Sequence, residues 1–193
     1  MVSSQDQKKY SSLVKLIFIK RLMRRIIDEV DKSGARKILD IGCGEGYPDR
    51  CLLDRFGGKL EILGIDFNPD SLELAQMKNP EAKYQKQNIY KLKFAKNQFD
   101  LILMTEVLEH LDNPLEALLK INSFAPTTLV SVPYEPWFSV FSFLSGSYLK
   151  RLGKHPDHIS FWNKESLRDI LSKAYSEVNV SISFPWLIGV CKK

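Results

Sequence analysis

Cysteine is scarce in this chain: three are present, Cys43, Cys51 and Cys191, an odd number at scattered positions. They form neither a disulfide framework nor a metal-ligand spacing, so a reducing, cytoplasmic compartment is expected. Histidine is as sparse, with His110, His155 and His158; the cluster His155, Asp157 and His158 matches no strong metal site, and no metal is expected. No apolar run approaches the length of a membrane span, and the N-terminus has no signal-peptide pattern. Internal repeats, low-complexity tracts and a second domain are also missing, so a single domain over residues 1–193 with a substantial core is expected. Hydrophobic residues at 44% and charged residues at 26% are ordinary globular values, which excludes wholesale disorder. A strong charge of either sign is lacking as well. The net charge is +5, and residues 1–37, with ten Lys or Arg against four Asp or Glu, account for the excess. Such a basic segment can touch nucleic acid or anionic lipid, or it can be the solvated face of a helix; there is no strong nucleic-acid signal.

What is present is organised around Lys37 to Gly46. The apolar run Ile38–Ile41 stops at three glycines spaced two apart, Gly42, Gly44 and Gly46. A buried strand of a parallel sheet ends this way, because both its faces are covered. Glycines after it let the backbone turn sharply and approach a ligand, with amides exposed toward it. A second apolar run, Ile62–Ile65, ends at Asp66, where a carboxylate can accept hydrogen bonds from ribose hydroxyls. Dinucleotide loops need a small residue where Tyr47 stands here, which argues against a nicotinamide oxidoreductase.

The stretch instead resembles motif I of the class I S-adenosylmethionine-dependent methyltransferases, in which an acidic residue precedes the glycines, as Asp40 does here. A second match lies at Phe99 to Leu111. There an aspartate, Asp100, opens an apolar strand, and a Glu-His pair, Glu109-His110, follows it. The resemblance covers about residues 36–193 and is strongest in the first half.

The remaining chain reads as alternating strands and helices. Residues 1–12 are polar and read as frayed; Leu13 to Val30 reads as a helix with Ile19, Leu22, Met23, Ile26, Ile27 and Val30 on one face. Pro48 fits the first turn of the next helix, which Gly57-Gly58 ends. Asn68-Pro69 and Asn113-Pro114 are capped helix starts, and Asn163 begins a last helix to about Ala174. Further strands are expected near Lys83–Gln87, Phe99–Met104, Thr128–Val132, Val178–Phe184 and Leu187–Lys192. This alternation predicts a doubly wound α/β sheet with ligands at the carboxyl ends of its strands. The resemblance makes it a Rossmann-like sheet of seven strands with helices on both faces, mostly parallel, whose last strand runs antiparallel between its neighbours.

The resemblance implies S-adenosylmethionine as cofactor. It implies a binding set of Asp40, Gly42, Cys43, Gly44, Gly46, Asp66, Phe67, Asn88, Ile89, Thr105 and Glu106. Asn88 would meet the adenine amino group and Ile89 would pack on the ring; the plain reading of Cys43 is a small side chain tolerated in a tight turn. Methyl transfer needs nucleophile, methyl carbon and sulfur in line, and a hydroxyl acceptor also needs a base. His158 is the first candidate and His110 the second, each with the alternative of orienting a loop.

Residues 133–162 form an aromatic-rich insertion on the substrate side, and residues 1–35 form an N-terminal helical segment. Trp137 to Leu144, hinged at Ser145-Gly146-Ser147, reads as a cover over the site, as an apolar contact with lipid that Arg21, Arg24 and Arg25 would reinforce on an anionic membrane, or as a helix folded back to cap the core with the arginines solvated. The acceptor expected is a small or lipid-like molecule. The alternatives are a methyltransferase acting on protein or nucleic acid, and a non-catalytic scaffold on the same fold.

Overall fold

The computed structural model describes residues 4–135 and 160–193, with the backbone alone for residues 4–15. The chain runs α1 (Ser4–Ser33), β1 (Lys37–Ile41), α2 (Tyr47–Phe56), β2 (Glu61–Asp66), α3 (Pro69–Lys78) and β3 (Lys83–Lys86). It continues through β4 (Leu101–Thr105), α4 (Pro114–Ile121), β5 (Thr127–Pro133), α5 (Lys164–Ser172), β6 (Glu177–Ser183) and β7 (Trp186–Lys192). The seven strands make one sheet in the order β3-β2-β1-β4-β5-β7-β6. β7 is antiparallel to both β5 and β6, and the other pairings are parallel. This is the doubly wound, Rossmann-like arrangement the sequence predicts.

Side chains alternate across each strand, so β1 feeds two cores. Leu39 and Ile41 enter a cluster with Ala117, Leu118 and Ile121 of α4 and Leu167 and Leu171 of α5. Ile38 enters the opposite cluster with Leu22, Met23, Ile26 and Val30 of α1 and Leu52 and Leu53 of α2. Burial on both faces explains why β1 and β4 read as continuous apolar runs. Asp100 holds these two strands in register from their starting end: its Oδ2 accepts from the backbone amides of Arg36 and Lys37, each at 2.8 Å. Strand order reverses between β1 and β4, which places a crevice at their carboxyl ends.

Two expectations need adjustment. α1 starts at Ser4 rather than Leu13, so the polar segment read as frayed is helical. Gln and Lys are good helix formers even without apolar periodicity, and periodicity was the only signal that marked the start. β4 begins at Leu101, with Phe99 and Asp100 just before it. The expected cover Trp137–Leu144, its hinge Ser145–Ser147, and His155 and His158 lie outside the described residues. The described flanks of that insertion meet at the carboxyl edge of the sheet. Glu135 N donates to Trp162 O (2.9 Å), and Ser160 N donates to Glu109 O (3.1 Å).

Candidate functional site

The glycine loop after β1 is tied to the end of β2 by its own amides. Gly42 N and Cys43 N both donate to Ile65 O, at 2.7 and 3.1 Å. Gly44 N donates to Asp66 Oδ2 at 2.9 Å, and Asp66 Oδ1 accepts from Asn68 N at 2.9 Å. Asn68 in turn accepts from Asp70 N and so starts α3. Gly42 and Gly46 both have φ of +71°, a left-handed conformation that favours glycine. A Cβ on Gly42 would overlap a methyl of Val107, and one on Gly46 would overlap Asn79 Nδ2. The loop is therefore closed from both sides.

Beside it opens a cavity of about 570 Å³, within the range of small-molecule sites. Its wall takes Ile41 and Gly42 from β1 and the loop, Ile65, Asp66 and Phe67 from the end of β2, and Gln87 to Tyr90 after β3. Glu106, Val107 and His110 to Asp112, after β4, close the other side. Phe67 is 78% exposed, an aromatic face left open at the rim. Asn88 is positioned by a local turn in which its Oδ1 accepts from Tyr90 N at 2.9 Å.

Glu106 has φ of +57°, unusual for a residue with a side chain. Its backbone N donates to Ser131 O, which fixes the turn off β4 (3.0 Å). Burial pushes its carboxyl up to about 7, against the opposing hydrogen bond from Trp186. Glu109, three residues on, is buried, and among the described residues no side chain pairs with its carboxylate. Burial and then the charge of Glu106 hold it well above the ordinary range. Two carboxyls that resist ionisation thus sit next to His110 on the side away from Asp66.

On the opposite face of β1, Asp40 is fully buried and faces Asp49 of α2, also fully buried. Tyr84 Oη donates to Asp49 Oδ2 (2.8 Å), and Asn79 Nδ2 donates to both Tyr84 Oη (3.0 Å) and Gly46 O (2.9 Å). Burial, then the neighbouring Asp49, raises the Asp40 carboxyl far above its usual range; burial raises Asp49 as well, while the Tyr84 hydrogen bond opposes that rise. The two carboxyls also hydrogen-bond to each other, so the pair resists double ionisation.

Of the residues singled out in the sequence, Gly42, Asp66, Phe67, Asn88, Ile89, Glu106 and His110 share one cavity wall. Gly44 and Gly46 complete the loop beside it, while Asp40, Cys43 and Thr105 are buried behind it. His158 lies outside the described residues. Val107, Leu111 and Gln87 on the wall went unread, as did the Asp49–Tyr84–Asn79 chain under the loop. Nothing local in the sequence marks that chain, since its members stand on α2, β3 and the end of α3. Among the described residues no group of acidic, Cys or His side chains is arranged to hold a metal, and no helix is long and apolar enough to cross a membrane.

Residues 39–124 match the profile of a family described as a methyltransferase domain. The mitochondrial ubiquinone biosynthesis O-methyltransferase of Candida albicans is 33% identical over 104 residues, covering 51% of this chain and 31% of that protein. The chloroplastic tocopherol O-methyltransferase of Arabidopsis thaliana is 24% identical over 185 residues, covering 84% of this chain and 52% of that protein. The chain therefore spans only 31% to 52% of the length of these two relatives. Among solved structures, a small RNA methyltransferase superposes with a TM-score of 0.73 at 22% identity, over 90% of this chain and 25% of that one, a likeness of fold.

Proposed function

We propose that the chain, as a class I S-adenosylmethionine-dependent methyltransferase, transfers the methyl group of S-adenosylmethionine to an oxygen of a small, partly apolar molecule. The observation that carries this reading is the single cavity wall that joins the glycine loop and Asp66 on one side to Glu106 and His110 on the other. When bound, S-adenosylmethionine supplies an electrophilic methyl group on a sulfonium.

The residues present fit that cofactor. Asp66 spends one hydrogen bond on each oxygen, and a carboxylate has about four lone-pair sites, so it retains capacity for ribose hydroxyls. Ile41, Ile65 and Ile89 offer an apolar wall for a purine, and Asn88 Oδ1 keeps a second lone pair for an exocyclic amine. Gly42 brings bare backbone to the cavity.

On the acceptor side, a hydroxyl must lose a proton as it attacks. His110 and Glu106 stand on that wall, and a carboxyl held near 7 is matched to proton transfer at neutral pH. His158 remains the partner proposed from the insertion. Transfer to oxygen is supported by the names of both curated relatives, each an O-methyltransferase. A nucleic-acid acceptor is the second reading, favoured by the exposed Arg21 and Arg24 on α1.

The test is methyl transfer from labelled S-adenosylmethionine to parallel panels of phenols and quinols, of phospholipids, and of short RNA. Label on a phenolic oxygen is the expected result. Label confined to RNA would overturn the small-molecule assignment, and label nowhere while the cofactor binds would favour a non-catalytic scaffold.

A further inference from the structure

The cavity wall uses only one face of β1. On the other face lies a buried polar assembly that hydrophobic packing would not demand. Both oxygens of Asp40 and Oδ1 of Asp49 are fully buried, and among the described residues they meet only each other, with no donor from a neighbouring group. An arrangement whose only purpose was stability would supply donors or dispense with the charges. The assembly is also wired to the loop. Asp49 accepts from Tyr84, and Asn79 bridges Tyr84 to the carbonyl of Gly46. Tyr84 packs closely over two glycines: a Cβ on Gly64 would run into its ring, and one on Gly46 would sit 2.8 Å from its oxygen. Around the pair, Asp66 of β2, Cys43 of the loop and Tyr84 of β3 are the ionisable groups that bear on it. All are acidic or neutral. Nothing among them compensates a second negative charge on the pair, yet Asp66, whose charge Asp40 feels, lines the cavity.

We propose that Asp49 is a positioning residue for the cofactor: through Tyr84 and Asn79 it holds the glycine loop from beneath, and with Asp40 it holds one shared proton that is released when a cation enters the cavity. The proposal rests on the reading of this cavity as the S-adenosylmethionine site. S-adenosylmethionine carries a sulfonium, whereas S-adenosylhomocysteine, the product of transfer, carries a neutral thioether at the same atom. A cation over the loop favours ionisation of the pair, and the proton passes to the buffer. The doubly ionised pair then attracts the sulfonium but not the thioether, so the loop discriminates substrate from product by charge.

The experiment is calorimetric titration of the full chain with each ligand, in two buffers of different ionisation enthalpy, between pH 6 and pH 8. The heats give the number of protons released on binding. Wild type should release more protons with S-adenosylmethionine than with S-adenosylhomocysteine, and the affinity ratio between them should rise with pH. Asp49→Asn keeps an acceptor for Tyr84 while removing the shared proton. It should abolish the proton difference and lower the affinity ratio roughly three- to tenfold. Tyr84→Phe keeps both carboxyls, so it should weaken both ligands alike and leave the proton difference intact. Equal proton release for the two ligands in wild type overturns the proposal without any variant. A proton difference that survives in Asp49→Asn overturns the assignment to Asp49. Failure of both ligands to bind would count against the methyltransferase reading itself.

Discussion

Gly46 is the residue at which fold and site depend most directly on one another. Its φ of +71° is costly for any L side chain, and a Cβ there would displace Asn79 from the carbonyl it holds. Gly46→Ala should therefore combine a left-handed penalty of about 1–2 kcal/mol with partial loss of a buried hydrogen-bond network, about 1–3 kcal/mol more. Urea unfolding checks this; a loss below about 1 kcal/mol would mean that the network tolerates the displacement. Glu106 acts at the other end of the cavity. If it takes up the acceptor's proton, the rate should rise through a midpoint near 7, the value to which burial pushes its carboxyl. Glu106→Gln should erase that limb from the pH–rate profile. A limb of the same midpoint in the variant would assign it to another group.

At the scale of elements, the starts of the helices are the most legible feature of the chain. Asn68, Asn113 and Asn163 each accept from an amide of the first turn, and Pro69 and Pro114 follow two of them. Such caps are written in two or three adjacent residues, and Asn68→Ala should cost α3 about 1 kcal/mol in thermal or urea unfolding. An effect indistinguishable from zero would leave Pro69 alone as the start signal. The strands were legible for a similar reason, since apolar runs are local signals, whereas the antiparallel course of the last strand came only from the family resemblance. Much of the cavity wall was legible because its residues stand at or shortly after strand ends. What could not be read depends on distance along the chain. Tyr84 meets Asp49 across 35 positions and Asn79 meets Gly46 across 33, and no pattern of neighbours announces either pair. Thr105 shows the limit of reading by position. It ends β4 as expected, but the strand's alternation leaves it buried behind the wall while Glu106 reaches it.

For the molecule as a whole, the dominant electrostatic fact is that Asp40, Asp49, Glu106 and Glu109 are all raised, chiefly by burial. A carboxyl whose folded value lies above its unfolded value keeps its proton longer in the native state. Between the two values the unfolded chain binds fewer protons, so native stability falls as pH rises. For Glu106 that window runs from the ordinary 4.5 to about 7, and it corresponds to about 3 kcal/mol. The ligand-free protein should thus unfold at lower urea in pH 8 than in pH 5, and Glu106→Gln should reduce the difference. Stability that rises over this range would show that these carboxyls ionise without penalty. A bound cation should offset part of the loss by the same linkage. The central claim, that this cavity is the S-adenosylmethionine site organised by the glycine loop and Asp66, is tested most directly by one calorimetric comparison of wild type with Asp66→Ala. Losing the carboxylate's hydrogen bonds to the ribose should cost about 1.5–3 kcal/mol. Wild type should therefore bind S-adenosylmethionine roughly tenfold or more tightly than the variant. Equal affinity in the two proteins, or binding in neither, would contradict the claim.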